Sequence, residues 1–93
     1  IIPASTHHYH PDFKLPNGIR IETKGRFVAA DRKKHLLVKE QNPNMDIRFV
    51  FSNSKNKITK KSKTTYGDWC EKNGYKYADK IIPNEWFLEE NRL

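Results

Sequence analysis

The sequence predicts an α+β domain, a small mixed β-sheet flanked by helices, on three observations. Residues 46–52 place Ile47, Phe49 and Phe51 on one face of an extended segment and Val50 on the other, which puts that strand inside a sheet rather than at its edge. Two strand-like segments, 8–15 and 19–24, flank Pro16-Asn17-Gly18, a turn word in which Pro presets the first position and Gly supplies the left-handed one. Segments with helix-cap and helix-stop residues follow. The expected order is ββαβαβα in one domain over residues 1–93.

Taken in order, residues 1–6 are a lead-in strand or coil, followed by the hairpin. Asp31 is expected to cap a helix running to about Gln41, with Leu36 and Leu37 toward the core and Pro43 preventing extension. After the central strand, residues 53–63 form a basic loop. Thr65 with Asp68 three residues on is close to a capping box; Tyr66, Trp69 and Cys70 share the apolar side of the short helix it opens, and Gly74 ends it. Residues 75–77 are expected as a short strand, and Ile81 to Leu88 as a last helix with Trp86 and Phe87 inward.

Composition narrows the function. The chain is 35% hydrophobic and 31% charged, enough for a thin core, and a domain this small gains from a partner chain or a further segment. It begins with Ile, as expected of a processed product or a fragment. No apolar run approaches the length of a membrane span and no signal-peptide pattern opens it. A single cysteine, Cys70, excludes an internal disulfide, fits a cytosolic setting and is best read as a small core residue. Net charge is +7, which points to a polyanionic partner. From Ile47 to Gly67 there is no acidic residue, while Arg48, Lys55, Lys57, Lys60, Lys61 and Lys63 all fall there. Such a run is either a solvated loop or a phosphate-binding one.

The chemistry sits on the hairpin. A two-residue loop would mix the faces of the two strands. A three-residue loop at 16–18 pairs Leu15 with Ile19, Phe13 with Ile21 and Asp12 with Glu22, and a type I turn followed by a left-handed glycine has that form. Two carboxylates then stand opposite each other, with Cβ atoms roughly 4.5–5.5 Å apart, where like charges destabilise. A divalent cation explains them: hard Mg²⁺ takes one or two protein carboxylates and completes its shell with water and phosphate. Lys24 shares the Glu22 face, within reach of the attacking water or the scissile phosphate. The ordinary alternative, a solvated pair screened by Lys14, Arg20 and Lys24, stays open on spacing alone, because a lone Glu-x-Lys is a weak signal.

Longer words carry more weight. Pro11-Asp12 followed by Glu22-Thr23-Lys24 is similar to the PD-(D/E)xK nuclease motif. Ile2-Pro3-Ala4-Ser5, Tyr9, Pro11-Asp12-Phe13, Leu15-Pro16-Asn17-Gly18-Ile19, Glu22-Thr23-Lys24-Gly25 and Asp31-Arg32-Lys33-Lys34-His35-Leu36-Leu37 resemble the endonuclease I family of T-seven-like bacteriophages. So do Asp46-Ile47-Arg48, Val50-Phe51-Ser52, Cys70-Glu71-Lys72, Ala78-Asp79-Lys80, Ile82-Pro83 and Glu85-Trp86. The resemblance covers nearly all of the chain.

It implies a restriction-endonuclease-like core and a Holliday-junction-resolving endodeoxyribonuclease that hydrolyses phosphodiesters in four-way and branched DNA. Mg²⁺ is the implied cofactor, with Mn²⁺ able to substitute. Residue by residue, Asp12 and Glu22 fall on the metal-binding carboxylates, the Thr23 carbonyl on a further metal ligand, and Lys24 on the catalytic lysine. It also implies a domain-swapped homodimer, no membrane, the host-cell cytoplasm, and an N-terminal segment with a further active-site glutamate that this sequence does not contain. A partner chain is the other way to supply that segment. Two rivals remain at this point: a PD-(D/E)xK enzyme with another DNA target, homing or restriction-like, and a catalytically incomplete DNA-binding fragment.

Other residues are weighed against the same site. His7, His8 and His10 suggest a metal cluster but lack the companions of a zinc site, so an exposed strand edge is the better reading. His35 is read as a half-buried packing histidine. Arg32, Lys33 and Lys34 are either phosphate contacts or solvated, and Lys55, Lys57, Lys60 and Lys61 are candidate DNA contacts from the basic loop. The aromatics Tyr66, Trp69, Trp86 and Phe87 are read as core, because junction enzymes read backbone shape more than bases.

Overall fold

A computed structural model describes residues 11–90. Its order is β1 (Phe13–Lys14), β2 (Arg20–Lys24), α1 (Ala29–Gln41), β3 (Ile47–Phe51), α2 (Tyr66–Lys72), β4 (Lys76–Asp79) and α3 (Asn84–Phe87). One sheet runs β1-β2-β3-β4, with β1 antiparallel to β2 and the other two pairs parallel. This is the mixed sheet flanked by helices that the sequence predicts.

The hairpin has the expected register. Phe13 pairs with Ile21, the Leu15 amide donates to the Ile19 carbonyl at 2.8 Å, and Gly18 takes φ 91°. A residue with a side chain is disfavoured at that φ, which is why glycine closes the loop. β1 is shorter than the sequence suggests, and residues 8–10 lie outside the described residues.

The sheet is covered on both faces. Strand alternation and parallel register place Ile47, Phe49 and Phe51 on the same face as Arg20, Glu22 and Lys24. There Phe27, Tyr66, Trp69, Cys70 and Tyr75 complete the larger core. Burial pushes the Cys70 thiol up to about 12, so it serves as a small apolar residue. The opposite face carries Leu15, Ile19, Ile21, Val50 and Trp86.

The helices depart from expectation in instructive ways. Asp31 does not cap α1; Val28 occupies that position with no side-chain cap, because Ala29 and Ala30 extend the helix upstream and leave Asp31 in its first turn. Leu36 and Leu37 point outward, Leu37 being 52% exposed. His35 is instead the buried residue of the helix, with Val38 half-buried behind it. The Tyr75 hydroxyl fixes that rotation by donating to the His35 carbonyl at 2.6 Å. α2 has the full capping box of Thr65 and Asp68, and Gly74 just after it has φ 78°.

Strand β4 begins one residue late, leaving Tyr75 as a buried core residue. α3 is a single turn because Pro83 stands at its N-cap, so Ile81 and Ile82 stay outside it. Trp86 is buried as expected, whereas Phe87 is 48% exposed. Among the described residues no helix is long and apolar enough to cross a membrane.

Candidate active site

β2 is the axis of the site. Its alternation sends Glu22 and Lys24 to the face covered by α1, and Thr23 to the other. Asp12 lies just before β1, one step beyond the Phe13–Ile21 pair and so opposite Glu22 in register. Its carboxylate turns onto the β2 backbone: Asp12 Oδ2 accepts the Thr23 amide at 2.8 Å and the Thr23 hydroxyl at 2.9 Å. The Thr23 amide holds the Asp12 carboxyl below the usual carboxylate range; burial opposes it, and the Thr23 hydroxyl and the charges of Lys24 and Lys34 reinforce it by smaller amounts. Asp12 is therefore an anion throughout the working pH range of an enzyme.

The next hydrogen-bonded pair of this ladder would join Pro11 to Thr23. Pro11 has no N–H to offer the Thr23 carbonyl. Proline one residue before the aspartate thus ends the ladder at Thr23.

Glu22 is buried, only 4% exposed, beneath α1. Lys24 Nζ lies 3.9 Å from Glu22 Oε1 and 3.6 Å from Asp31 Oδ1, so the lysine sits between two carboxylates. His35 Nε2 lies 4.0 Å from Glu22 Oε1, with its ring edge-on to Phe49. Burial, and then the charges of Lys24 and Lys34, push His35 down to about 4, so it stands beside Glu22 as a neutral ring at pH 7.

The structure thus joins Asp12 to Thr23 and Glu22 to Lys24 at neighbouring positions of one hairpin, and adds Asp31 and His35 from α1. The sequence contained a signal for both: the 31/35/38 spacing marks one helix stripe, but the neighbouring leucines outweighed it. Lys34 is exposed near Asp12. Arg32 is half-buried, with Nη1 donating to the Phe27 carbonyl at 2.6 Å, while Lys33 is exposed.

The basic loop is an ordered excursion: Lys57 bridges Thr65, and Ser54 is anchored by its amide and hydroxyl to Asp79 at 2.7 and 3.0 Å. Lys55, Lys57, Lys60 and Lys61 project from it into solvent. Arg48, counted in the same basic run, does not belong to that surface. It is fully buried between Asp46 and Glu89 because strand alternation turns it into the sheet's second face. His7, His8 and His10 lie outside the described residues.

Two carboxylates and a backbone carbonyl are hard oxygen donors that suit a hard cation with few protein ligands. No cage of three or more His, Cys, Asp or Glu side chains exists among the described residues. Oxygen donors without sulfur or ring nitrogen would suit a hard divalent cation better than zinc.

The phage endonuclease I family matches residues 1–93. Endonuclease I of Escherichia phage T7 is 59% identical over 92 residues, covering 99% of this chain and 62% of that relative. Endodeoxyribonuclease 1 of Enterobacteria phage T3 is 61% identical over 83 residues, covering 89% of this chain and 55% of that relative.

Proposed function

The chain belongs to the phage endonuclease I family, and on that premise we propose that it carries the catalytic centre of a divalent-metal-dependent endodeoxyribonuclease selective for four-way and branched DNA. The observation that carries this reading is the placement of Asp12, Glu22 and Lys24 in register on one hairpin, with the Thr23 carbonyl facing a proline. The names of both relatives support the endonuclease activity.

In this reading Asp12, Glu22 and the Thr23 carbonyl hold Mg²⁺ or Mn²⁺. When bound there, such a cation would supply Lewis-acid chemistry toward the scissile phosphate and the attacking water. Thr23 keeps Asp12 ionised and fixed through its amide and hydroxyl. Lys24, held between Glu22 and Asp31, directs its N–H groups at the phosphate oxygens or the nucleophile and offsets the charge that builds in the transition state. The neutral His35 ring excludes water from the inner side of Glu22 without adding a charge that would compete with the cation. Lys33 and Arg32 on α1, and Lys55, Lys57, Lys60 and Lys61 on the loop, hold the flanking phosphates. The host cytoplasm and a homodimer, or a partner chain completing the site, belong to the same reading and rest on the family resemblance.

The test is cleavage of a four-way junction against a matched duplex, with Mg²⁺ and with chelator. Junction-selective, metal-dependent cleavage that falls roughly 10²–10³-fold in Asp12→Asn is the expected result. Unchanged cleavage in that variant would remove the metal site from consideration. Equal cutting of the duplex would point to another DNA target, and binding without cleavage to an incomplete fragment. Replacing the four loop lysines should flatten the salt dependence of junction binding by roughly 0.9 in slope per lost phosphate contact; an unchanged slope would leave the loop merely solvated.

A further inference from the structure

The hairpin that carries Asp12 is weakly held by its own strands. Among the described residues β1 is the edge strand of the sheet, two residues long; Pro11 ends its ladder, and Phe13 is 54% exposed and buries little. Its anchorage comes from the far end of the chain. Asn17, buried in the turn, donates through Nδ2 to the Trp86 carbonyl at 2.7 Å and the Glu89 carbonyl at 3.1 Å, and its Oδ1 accepts the Ile19 amide at 3.3 Å.

The Glu89 carboxylate accepts two hydrogen bonds from Arg48, at 2.6 and 2.8 Å. Arg48 donates two more to Asp46, at 3.0 and 2.8 Å, and lies 5.1 Å over the Trp86 ring. The Asp46 carbonyl in turn accepts the Arg20 amide of β2 at 2.8 Å. These bonds close a ring: turn, C-terminal segment, central strand, β2 and back to the hairpin. Parallel register puts Arg48 on the face opposite Glu22, so the ring approaches the hairpin from behind the site.

We propose that residues 84–89, through Asn17, Arg48 and Glu89, form a clasp that positions the Asp12 strand against β2. These are positioning residues, remote from the reacting atoms. Bidentate pairs of arginine with carboxylate fix geometry as well as contribute energy. An edge strand so short keeps a side chain in place only if something else immobilises the turn. The functional importance of the clasp rests on the reading of Asp12 as a metal ligand, whereas its mechanical action can be read without it.

The experiment is amide hydrogen exchange on the whole chain, comparing Asn17→Asp with the original. That change keeps the side-chain acceptor for Ile19 and removes both donors. The Thr23 amide, bonded to Asp12, should exchange about tenfold faster or more, while Phe49, paired with Tyr77 on the far side of the sheet, should stay within about threefold. Glu89→Gln, which preserves shape, should do the same more weakly, and retained Phe49 protection shows that either variant is folded. At saturating junction DNA, single-turnover cleavage should fall in both variants while binding affinity holds. Parallel acceleration of Thr23 and Phe49 would reduce the clasp to a general stabiliser and overturn the proposal, as would an unmoved Thr23 in both variants. Failure of the original chain to cut any junction would refute the nuclease reading and leave the exchange contrast to decide the clasp.

Discussion

On one face of the sheet, Phe27 touches Phe49, Phe51, Tyr66 and Trp69 with ring centroids 4.9–5.8 Å apart. On the other, Arg48 lies between two carboxylates and above one tryptophan. The first face is closed by area and shape, which tolerate small displacements. The second adds directional bonds to the apolar cluster of Leu15, Ile19, Ile21, Val50 and Trp86, and those bonds hold their geometry more tightly. The candidate site takes its parts from both: Glu22, Lys24 and His35 belong to the aromatic side, and Asp12 hangs on a hairpin secured from the polar side. A carboxylate at the sheet edge is thus secured separately from the one held in the core.

Variants that act on one face at a time sharpen this contrast. The largest effect is expected from Phe49→Ala, at the centre of the aromatic face, where truncating a buried ring costs about 3–5 kcal/mol. Denaturant melts should show it; a loss below about 1 kcal/mol would mean that this face does not dominate stability.

Acid should act next, on the same face. His35 has an ordinary value near 6.5 in the unfolded chain and about 4 when folded, so below pH 6.5 the unfolded chain binds the extra proton. The contribution of neutral His35 is complete above pH 6.5 and is lost as pH falls toward 4, by about 3 kcal/mol. Melts in metal-free buffer from pH 7 to 4, with His35→Phe as reference, measure this. A reference protein that loses stability equally would assign the acid sensitivity elsewhere.

On the polar face, hydrogen bonds from Glu89 first, opposed by burial and then reinforced by Asp46, hold Arg48 above the ordinary arginine value. It is charged at every accessible pH. Arg48→Met removes the cation from two partly solvated carboxylates and should cost about 2 kcal/mol, less than breaking a fully buried pair. If that variant were more stable, the triad would serve geometry alone.

The smallest effect should come from Thr65→Ala. It deletes the hydroxyl that accepts the Asp68 amide at 3.0 Å and opens the capping box of α2, at about 1 kcal/mol. Thermal unfolding should move by a few degrees, and junction cleavage at 25 °C should hold.

How legible each part was follows from the range of the interactions involved. The three-residue hairpin loop, the interior strand around Phe49, the capping box at Thr65 and the apolar side of α2 are set by alternation, turn chemistry and caps. These act over a few residues and can be read from the chain. The placement of Asp12, Glu22 and Lys24 was legible for the same reason, because one hairpin carries all three.

The rotation of α1 was not legible. Leu36 and Leu37 argue for one inward stripe and His35 for another, and only the docking of Tyr75 onto the His35 carbonyl, forty positions away, selects the second. Asp31 reads as a cap until the alanines before it join the helix and its carboxylate meets Lys24. Arg48 reads as part of a basic surface, and Asn17 as a turn residue. Besides Asp46, two residues from Arg48, their partners are Glu89 and the carbonyls near it, which only folding brings within 3.1 Å.

The sequence alone therefore determined the order of elements, the hairpin register and the carboxylate–lysine motif, since each depends on local backbone preference and side-chain period. Tertiary structure decided which face of α1 covers Glu22, which cation is buried and what secures the Asp12 strand. Those outcomes depend on burial and pairing between residues far apart in the chain, and a local pattern holds no information about the partner that will satisfy it.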